Sequence, residues 1–246
     1  MSMVLREELS EGIVAITLNR PESLNALSPA LFSELNQIVT ELSKQTDSVG
    51  CVILRGAGRC FSAGNDLKAV RSGVKAKEKF FQAKTIDLIE KLPQPTIASV
   101  HGHCLTGALE LALACDLMIT SESANLADTH GKWGMVPGWG MSVRLPRRVG
   151  LLKAKEMMFT GMSINGLQAV EIGLSIQCVA DDHLKVSTLD LAESIVKNSW
   201  HTNFADKKLF LDNENHFHDA SLKMEREQSA SVASDMHERV KQGFKS

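Results

Sequence analysis

Apolar and polar positions switch repeatedly along this chain between strand and helix periods. Residues 12 to 19, GIVAITLN, form an alternating, β-branched run after Glu11-Gly12 and predict a strand. Ser28-Pro29 is a helix start, with Ser as N-cap and Pro at the first helical position. Leu31, Leu35, Ile38 and Leu42 then recur at helical spacing and give that helix one buried face. CVILR at 51 to 55 predicts a second strand that runs into a glycine-rich segment at 56 to 64. A charged stretch from about 75 to 91 predicts a helix ending at Pro93-Gln-Pro95. TIASV (96 to 100) and DLMIT (116 to 120) read as strands, with a buried helix between them that starts at Thr106 as its N-cap. A further strand is expected at 175 to 179. From Leu174 to Gln242 there is no Gly and no Pro, and Leu184, Leu191, Ala192 and Ile195 share one stripe. The pattern predicts an α/β core over residues 1–181 and a helical C-terminal region over 182–246.

Composition narrows the function. The 246 residues carry 27 Lys and Arg against 29 Asp and Glu, a net charge of −2, so a general nucleic-acid binder is not expected. There is no tyrosine, which removes mechanisms built on a Tyr acid or nucleophile. Five scattered cysteines without a CxxC read as buried thiols in a reducing compartment. The N-terminal stretch has acids where an export signal needs an apolar run. The longest apolar run, 109 to 115, holds a Glu and is too short to span a bilayer. The expectation is a cytoplasmic protein without a membrane partner.

Several tempting motifs fail on inspection. Gly56-Ala-Gly-Arg-Cys-Phe61 misses the last glycine of a dinucleotide loop, and no acid follows on a second strand. His101-Gly-His103 has no third ligand at suitable spacing, so no metal is expected. There is no GxSxG, and Ser72-Gly-Val-Lys75 lies in a charged stretch that gives SxxK no context. The segment 101 to 116, HGHCLTGALELALACD, is more specific. A strand enters a turn containing Gly102 and Gly107, and the first-turn N–H groups of the next helix lack intrahelical acceptors. Such an end favours developing negative charge. Glu110 sits in that first turn among leucines. Two readings apply to it, a favourable helix-start charge or a proton-transfer catalyst.

Five segments in order, LNRPESLNALS (18 to 28), FSAGNDLK (61 to 68), GALELALACD (107 to 116), VPGWGMSVRLPRRVG (136 to 150) and FTGMSINGLQAVEIGL (159 to 174), closely resemble the enoyl-CoA hydratase/isomerase, or crotonase, family. The resemblance covers residues 13 to 180. It implies a core of repeated ββα units, an acyl-CoA thioester as substrate, no separate cofactor, and assembly as a trimer or dimer of trimers. It also implies an oxyanion hole from the backbone N–H groups of Asn65 and Gly107, with CoA along Ala63, Asn65, Asp66, Leu67 and Lys68. Backbone donors of this kind contribute roughly 3 kcal/mol each to transition-state stabilisation.

Two departures from the family pattern bear on the chemistry. The family's first catalytic glutamate matches Glu110, but the second falls where this chain reads Leu126-Ala-Asp-Thr-His130, which puts His130 in its place. The glycine-rich turn before the catalytic helix is reduced to Thr106-Gly107-Ala108. If His130 reaches the pocket, an imidazole can give or take a proton near neutrality. If it packs between Asp128 and Trp133 instead, Glu110 alone still suffices for 3-enoyl to 2-enoyl isomerisation. The expected activity is hydration of a 2-enoyl-CoA. Isomerisation, thioester hydrolysis and non-catalytic acyl-CoA binding are the alternatives.

Overall fold

The computed structural model describes residues 2–73, 77–213 and 234. β1 (Val4–Ser10) and β2 (Gly12–Leu18) form an antiparallel hairpin, after which α1 (Pro29–Leu42) leads to β3 (Val49–Gly56). A short α2 (Leu67–Arg71) and α3 (Phe81–Glu90) precede β4 (Thr96–Val100), β5 (His103–Leu105) and α4 (Gly107–Leu113). β6 (Leu117–Ser121) and β7 (Asn125–Ala127) repeat the strand–strand pattern and end in a single 3-10 turn, His130–Trp133. α5 (Met141–Val149), α6 (Leu151–Thr160), β8 (Ser163–Asn165), α7 (Gly166–Glu171) and β9 (Gln177–Val179) follow. α8 (Leu184–Val196) and α9 (Trp200–Asn213) close the described chain.

The strands make two sheets. The larger has the order β1-β2-β3-β4-β6-β9, parallel from β2 onward. The smaller has the order β5-β7-β8, with β5 and β7 parallel. Each of the pairs β4–β5 and β6–β7 contributes one strand to each sheet, which is the repeated-unit architecture expected of the α/β core.

Burial explains the strand sequences. On one face of the large sheet, Val14, Ile16, Leu18, Val52 and Leu54 pack under α1, α3 and α4. On the other, Ile13, Ala15, Cys51, Ile53, Ile97 and Ile119 meet Leu184 and Ala192 of α8. Both faces are therefore covered, and β2 is buried at all its positions rather than on one side. The stripe on α8 supplies that cover, and Thr188 adds a hydroxyl contact to Ser99 at 3.0 Å. α9 is tied down by Lys207, whose ammonium donates to the Gln94 carbonyl at 3.0 Å and to Asp116 at 2.7 Å.

Ser28 caps α1 as expected, accepting from the Leu31 N–H at 3.2 Å. Three readings change. β1 is a strand that its polar sequence hides, because only Val4 of its seven residues is buried at this sheet edge. The helix expected from about residue 75 begins at Phe81, after Phe80 takes a left-handed φ of 62°; residues 75 and 76 lie outside the described residues. Thr106 occupies the N-cap position of α4, but its hydroxyl caps nothing. It pairs instead with the Thr129 hydroxyl across the site. Of the helical region expected over 182–246, the part from 214 onward, Ser234 apart, lies outside the described residues. Among the described residues no helix is long and apolar enough to cross a membrane.

Candidate active site

Three chain segments run side by side at the mouth of the small sheet. Ser62 bridges Cys104, with the Ser62 N–H donating to the His103 carbonyl at 2.8 Å. On its other side β5 pairs with β7, so Leu105 stands opposite Ala127. The glycine loop at 62–65, the turn at 105–107 and the segment 128–130 that follows β7 are thereby brought together. The Thr106 N–H closes the contact by donating to the Ala127 carbonyl at 2.8 Å.

Two backbone donors are left over. Leu27 bridges Asn65 in parallel fashion, donating to the Gly64 carbonyl and accepting from the Asp66 N–H. That pattern turns the Asn65 N–H away from Leu27. The Gly107 N–H opens the first turn of α4, where no intrahelical acceptor exists. Among the described residues neither N–H donates to a protein acceptor. Two glycines make the approach possible. A Cβ on Gly64, which has φ +95°, would lie 2.5 Å from the Leu105 carbonyl oxygen and 3.6 Å from the Gly107 nitrogen. A Cβ on Gly107 would lie 2.5 Å from the Trp139 ring. Thr106, at φ 55° and ψ −111°, carries the strain of the turn between them.

Glu110 is only 1% exposed. Its Oε1 accepts from the Trp139 N–H at 2.8 Å and the Met141 N–H at 3.1 Å. One oxygen is thus clamped, and Oε2 faces His130 Nε2 at 3.7 Å. Burial pushes the Glu110 carboxyl above its ordinary value and nearby Asp128 adds to this, while the two N–H donors and His130 offset part of the rise. His130 is itself buried, and its Nδ1 lies 2.6 Å from Asp128 Oδ1. Asp128, Thr129 and His130 reach the site because they extend β7 beyond its pairing with β5.

The clamp on Glu110 is braced from behind. Arg144 donates to the Trp139 carbonyl at 2.7 Å, to Glu90 at 2.8 and 2.7 Å, and to Asp87 at 2.7 Å. This fixes the 139–141 backbone to α3. Burial pushes the Glu90 carboxyl up, but the Arg144 guanidinium outweighs it and holds the group below its ordinary range. The Trp139 ring packs edge-on against Phe32, with centroids 5.1 Å apart.

These groups open onto a cleft of about 560 Å³. Its apolar wall includes Leu105, Trp133, Met135, Val136 and Trp139, and its polar floor holds Gly107, Glu110 and His130. That size and balance suit a small-molecule site. A second cavity of about 500 Å³, under α9, holds neither Glu110 nor His130. Among the described residues no group of three or more His, Cys, Asp or Glu is placed to hold a metal ion.

Of the residues expected along the CoA segment, Ala63, Asn65 and Leu67 line the cleft with Gly107. Asp66 turns inward: its carboxylate pairs with Arg20 at 2.9 Å and accepts from the Lys68 and Ala69 N–H groups, capping α2. Burial pushes the Asp66 carboxyl up, yet Arg20 and these N–H groups leave it below its ordinary value. Lys68 is exposed on α2, off the cleft wall. In the sequence, Asp128 stands only as a packing neighbour of His130, and nothing local marks Arg144 or Trp139. The latter two stand in the segment 136 to 150, whose regular family pattern was the available signal.

A family model for enoyl-CoA hydratase/isomerase matches residues 8–246. The chain is 34% identical over 194 residues to the short-chain-enoyl-CoA hydratase of Clostridium acetobutylicum, covering 77% of this chain and 74% of that protein. It is 39% identical over 174 residues to an enoyl-CoA isomerase/hydratase of Mycosarcoma maydis, covering 66% of this chain and 64% of that one. The crystal structure of an enoyl-CoA hydratase from Bacillus anthracis superposes with a TM-score of 0.92 at 34% identity, over 99% of this chain and 96% of that chain. With a match that takes in the glycine loop, the buried glutamate and the whole cleft, the chain belongs to the enoyl-CoA hydratase/isomerase family and has its crotonase fold.

Proposed function

We propose that the protein is an enoyl-CoA hydratase-like lyase that adds water across the double bond of a 2-enoyl-CoA. The observation that carries this is the buried Glu110–His130 pair, 3.7 Å apart, on the same cleft as two unpartnered backbone N–H groups. The thioester oxygen accepts from the Asn65 and Gly107 N–H groups, and these donors stabilise the enolate oxygen as charge develops on it. Glu110 Oε2 takes a proton from water as the water oxygen bonds to C3. The electron pair of the double bond moves to C2, which receives a proton from Nε2 of imidazolium His130. Glu110 ends protonated and His130 neutral, and the short gap between them lets the pair reset. CoA extends along residues 63–68, with Ala63, Asn65 and Leu67 at the cleft wall and Asp66 shaping the loop from inside.

One observation favours isomerisation as the second reading. Glu110 has one oxygen clamped and one free, which suffices to carry a proton between C4 and C2 of an enoyl thioester. No cofactor enters either scheme, because CoA arrives as part of the substrate. We further propose residues 1–181 as the catalytic core, followed by a region from 182 whose described part is the helices α8 and α9. The five unpaired cysteines support action in a reducing compartment, the cytoplasm being the simplest. The family resemblance and an exposed apolar row on α6, Leu151, Leu152 and Phe159, support a trimer-based assembly.

Product mass separates the readings. Incubated with a panel of 2-enoyl-, 3-enoyl- and saturated acyl-CoAs, the protein should convert 2-enoyl-CoAs to species heavier by one water. Mass-neutral conversion of 3-enoyl-CoA alone would replace the hydratase reading with the isomerase one. Loss of CoA would replace it with hydrolysis, and binding without turnover would leave a non-catalytic acyl-CoA binder.

A further inference from the structure

Asp128 is 1% exposed, and one of its oxygens serves two donors on the same residue. Oδ1 accepts from the His130 backbone N–H at 3.0 Å and lies 2.6 Å from the His130 ring Nδ1. The first bond is the local turn in which a short carboxylate accepts from the N–H two residues on. The second is additional and shorter, and the turn does not need it. A carboxylate can only accept, so a hydrogen at Nδ1 completes the bond and the ring presents Nε2 at its other end. Nε2 is the atom that faces Glu110 Oε2. The charged groups that face the ring are Glu110 from α4 and Asp128 from the end of β7, while Lys132, two residues on in the 3-10 turn, lines the same cleft.

We propose that Asp128 is the positioning residue of the acid/base pair: it holds His130 in the Nδ1-protonated tautomer, so that Nε2 is the ring atom that exchanges protons in the cleft. This rests on the reading of His130 as a proton-transfer group. The carboxylate–imidazole–carboxylate line Asp128–His130–Glu110 then has a fixed direction. Asp128 locks one end, and the labile proton moves at the other. A neutral amide at position 128 still offers an oxygen to the His130 N–H and keeps the turn. It removes the charge that fixes the tautomer and leaves only a weaker neutral acceptor at Nδ1, so the opposite tautomer becomes accessible to the ring.

Nitrogen-15 NMR of the imidazole rings tests this without substrate, with the His130 signals assigned by their loss in His130→Ala. At alkaline pH, wild type should show His130 as a single Nδ1-protonated species. Asp128→Asn should show a mixture or the opposite tautomer. It should also lower kcat for 2-enoyl-CoA hydration by roughly 10²–10⁴-fold, with KM changed no more than about threefold. A wild-type ring protonated at Nε2 would overturn the proposal, even if Asp128→Asn does not fold. So would an Asp128→Asn protein with wild-type tautomer and kcat, which would make Asp128 a turn-former only. If wild type hydrates nothing yet shows the fixed tautomer that Asp128→Asn releases, the positioning role stands and the hydratase reading falls.

Discussion

Glu110→Gln is expected to lower turnover of a 2-enoyl-CoA by about 10²–10⁴-fold while acetoacetyl-CoA binding stays within about threefold. Gln keeps an oxygen for the Trp139 and Met141 N–H groups, so the clamp and the cleft survive. What it lacks is a basic oxygen facing His130. The same variant carries a stability signature. Burial raises the folded-state value of Glu110 above the ordinary 4.5, so the folded protein holds that proton to higher pH than the unfolded chain. Below the unfolded value this linkage costs nothing, and wild type and Glu110→Gln should be close in stability. As pH rises through the folded value, wild type loses stability that the amide variant does not lose. Thermal unfolding should therefore show Glu110→Gln gaining on wild type between acidic and neutral pH. Turnover within a few-fold of wild type, with no such pH-dependent gain, would reduce Glu110 to a helix-start charge.

The second large effect is expected at His130. His130→Ala removes the proposed acid for C2 and should depress hydration by roughly 10²-fold or more. Isomerisation of a 3-enoyl-CoA, which can run on Glu110 alone, should fall much less. His130→Glu restores a pair of carboxylates facing each other across the cleft, in which repulsion keeps one protonated as the acid. That variant should recover hydration of short enoyl-CoAs relative to His130→Ala. Steady-state rates over a pH series for the three proteins decide it. Unchanged rates and profiles in both variants would make His130 a packing residue and favour the isomerase reading.

Much of the fold is legible in the sequence because its strands are buried, and burial demands apolar runs. GIVAITL, CVILR and TIASV could be read directly, as could the Ser28-Pro29 helix start. β1 could not, since an edge strand with one buried residue has no apolar period to show. β5, β7 and β8 are three residues each, too short for any period, yet their pairing is what assembles the site. Glu110 and Gly107 stood out locally, as a carboxylate in an apolar helix start beside a glycine turn. His130 was found only by its position against the family pattern. Asp128 and Arg144 act through tertiary contacts, with His130 two residues away and with α3 some 54 to 57 residues away, and no local pattern marks such partners.

The central claim is that this cleft adds water to an enoyl thioester held by two backbone N–H groups, with Glu110 and His130 moving the protons. Its most direct test is the reaction of crotonyl-CoA in water labelled with oxygen-18 and deuterium, followed by mass spectrometry and NMR of the product. The predicted product is the intact thioester carrying the heavy oxygen at C3 and one deuterium at C2. Heavy oxygen found instead in a free carboxylate, with CoA released, or unlabelled crotonyl-CoA recovered unchanged, would contradict it.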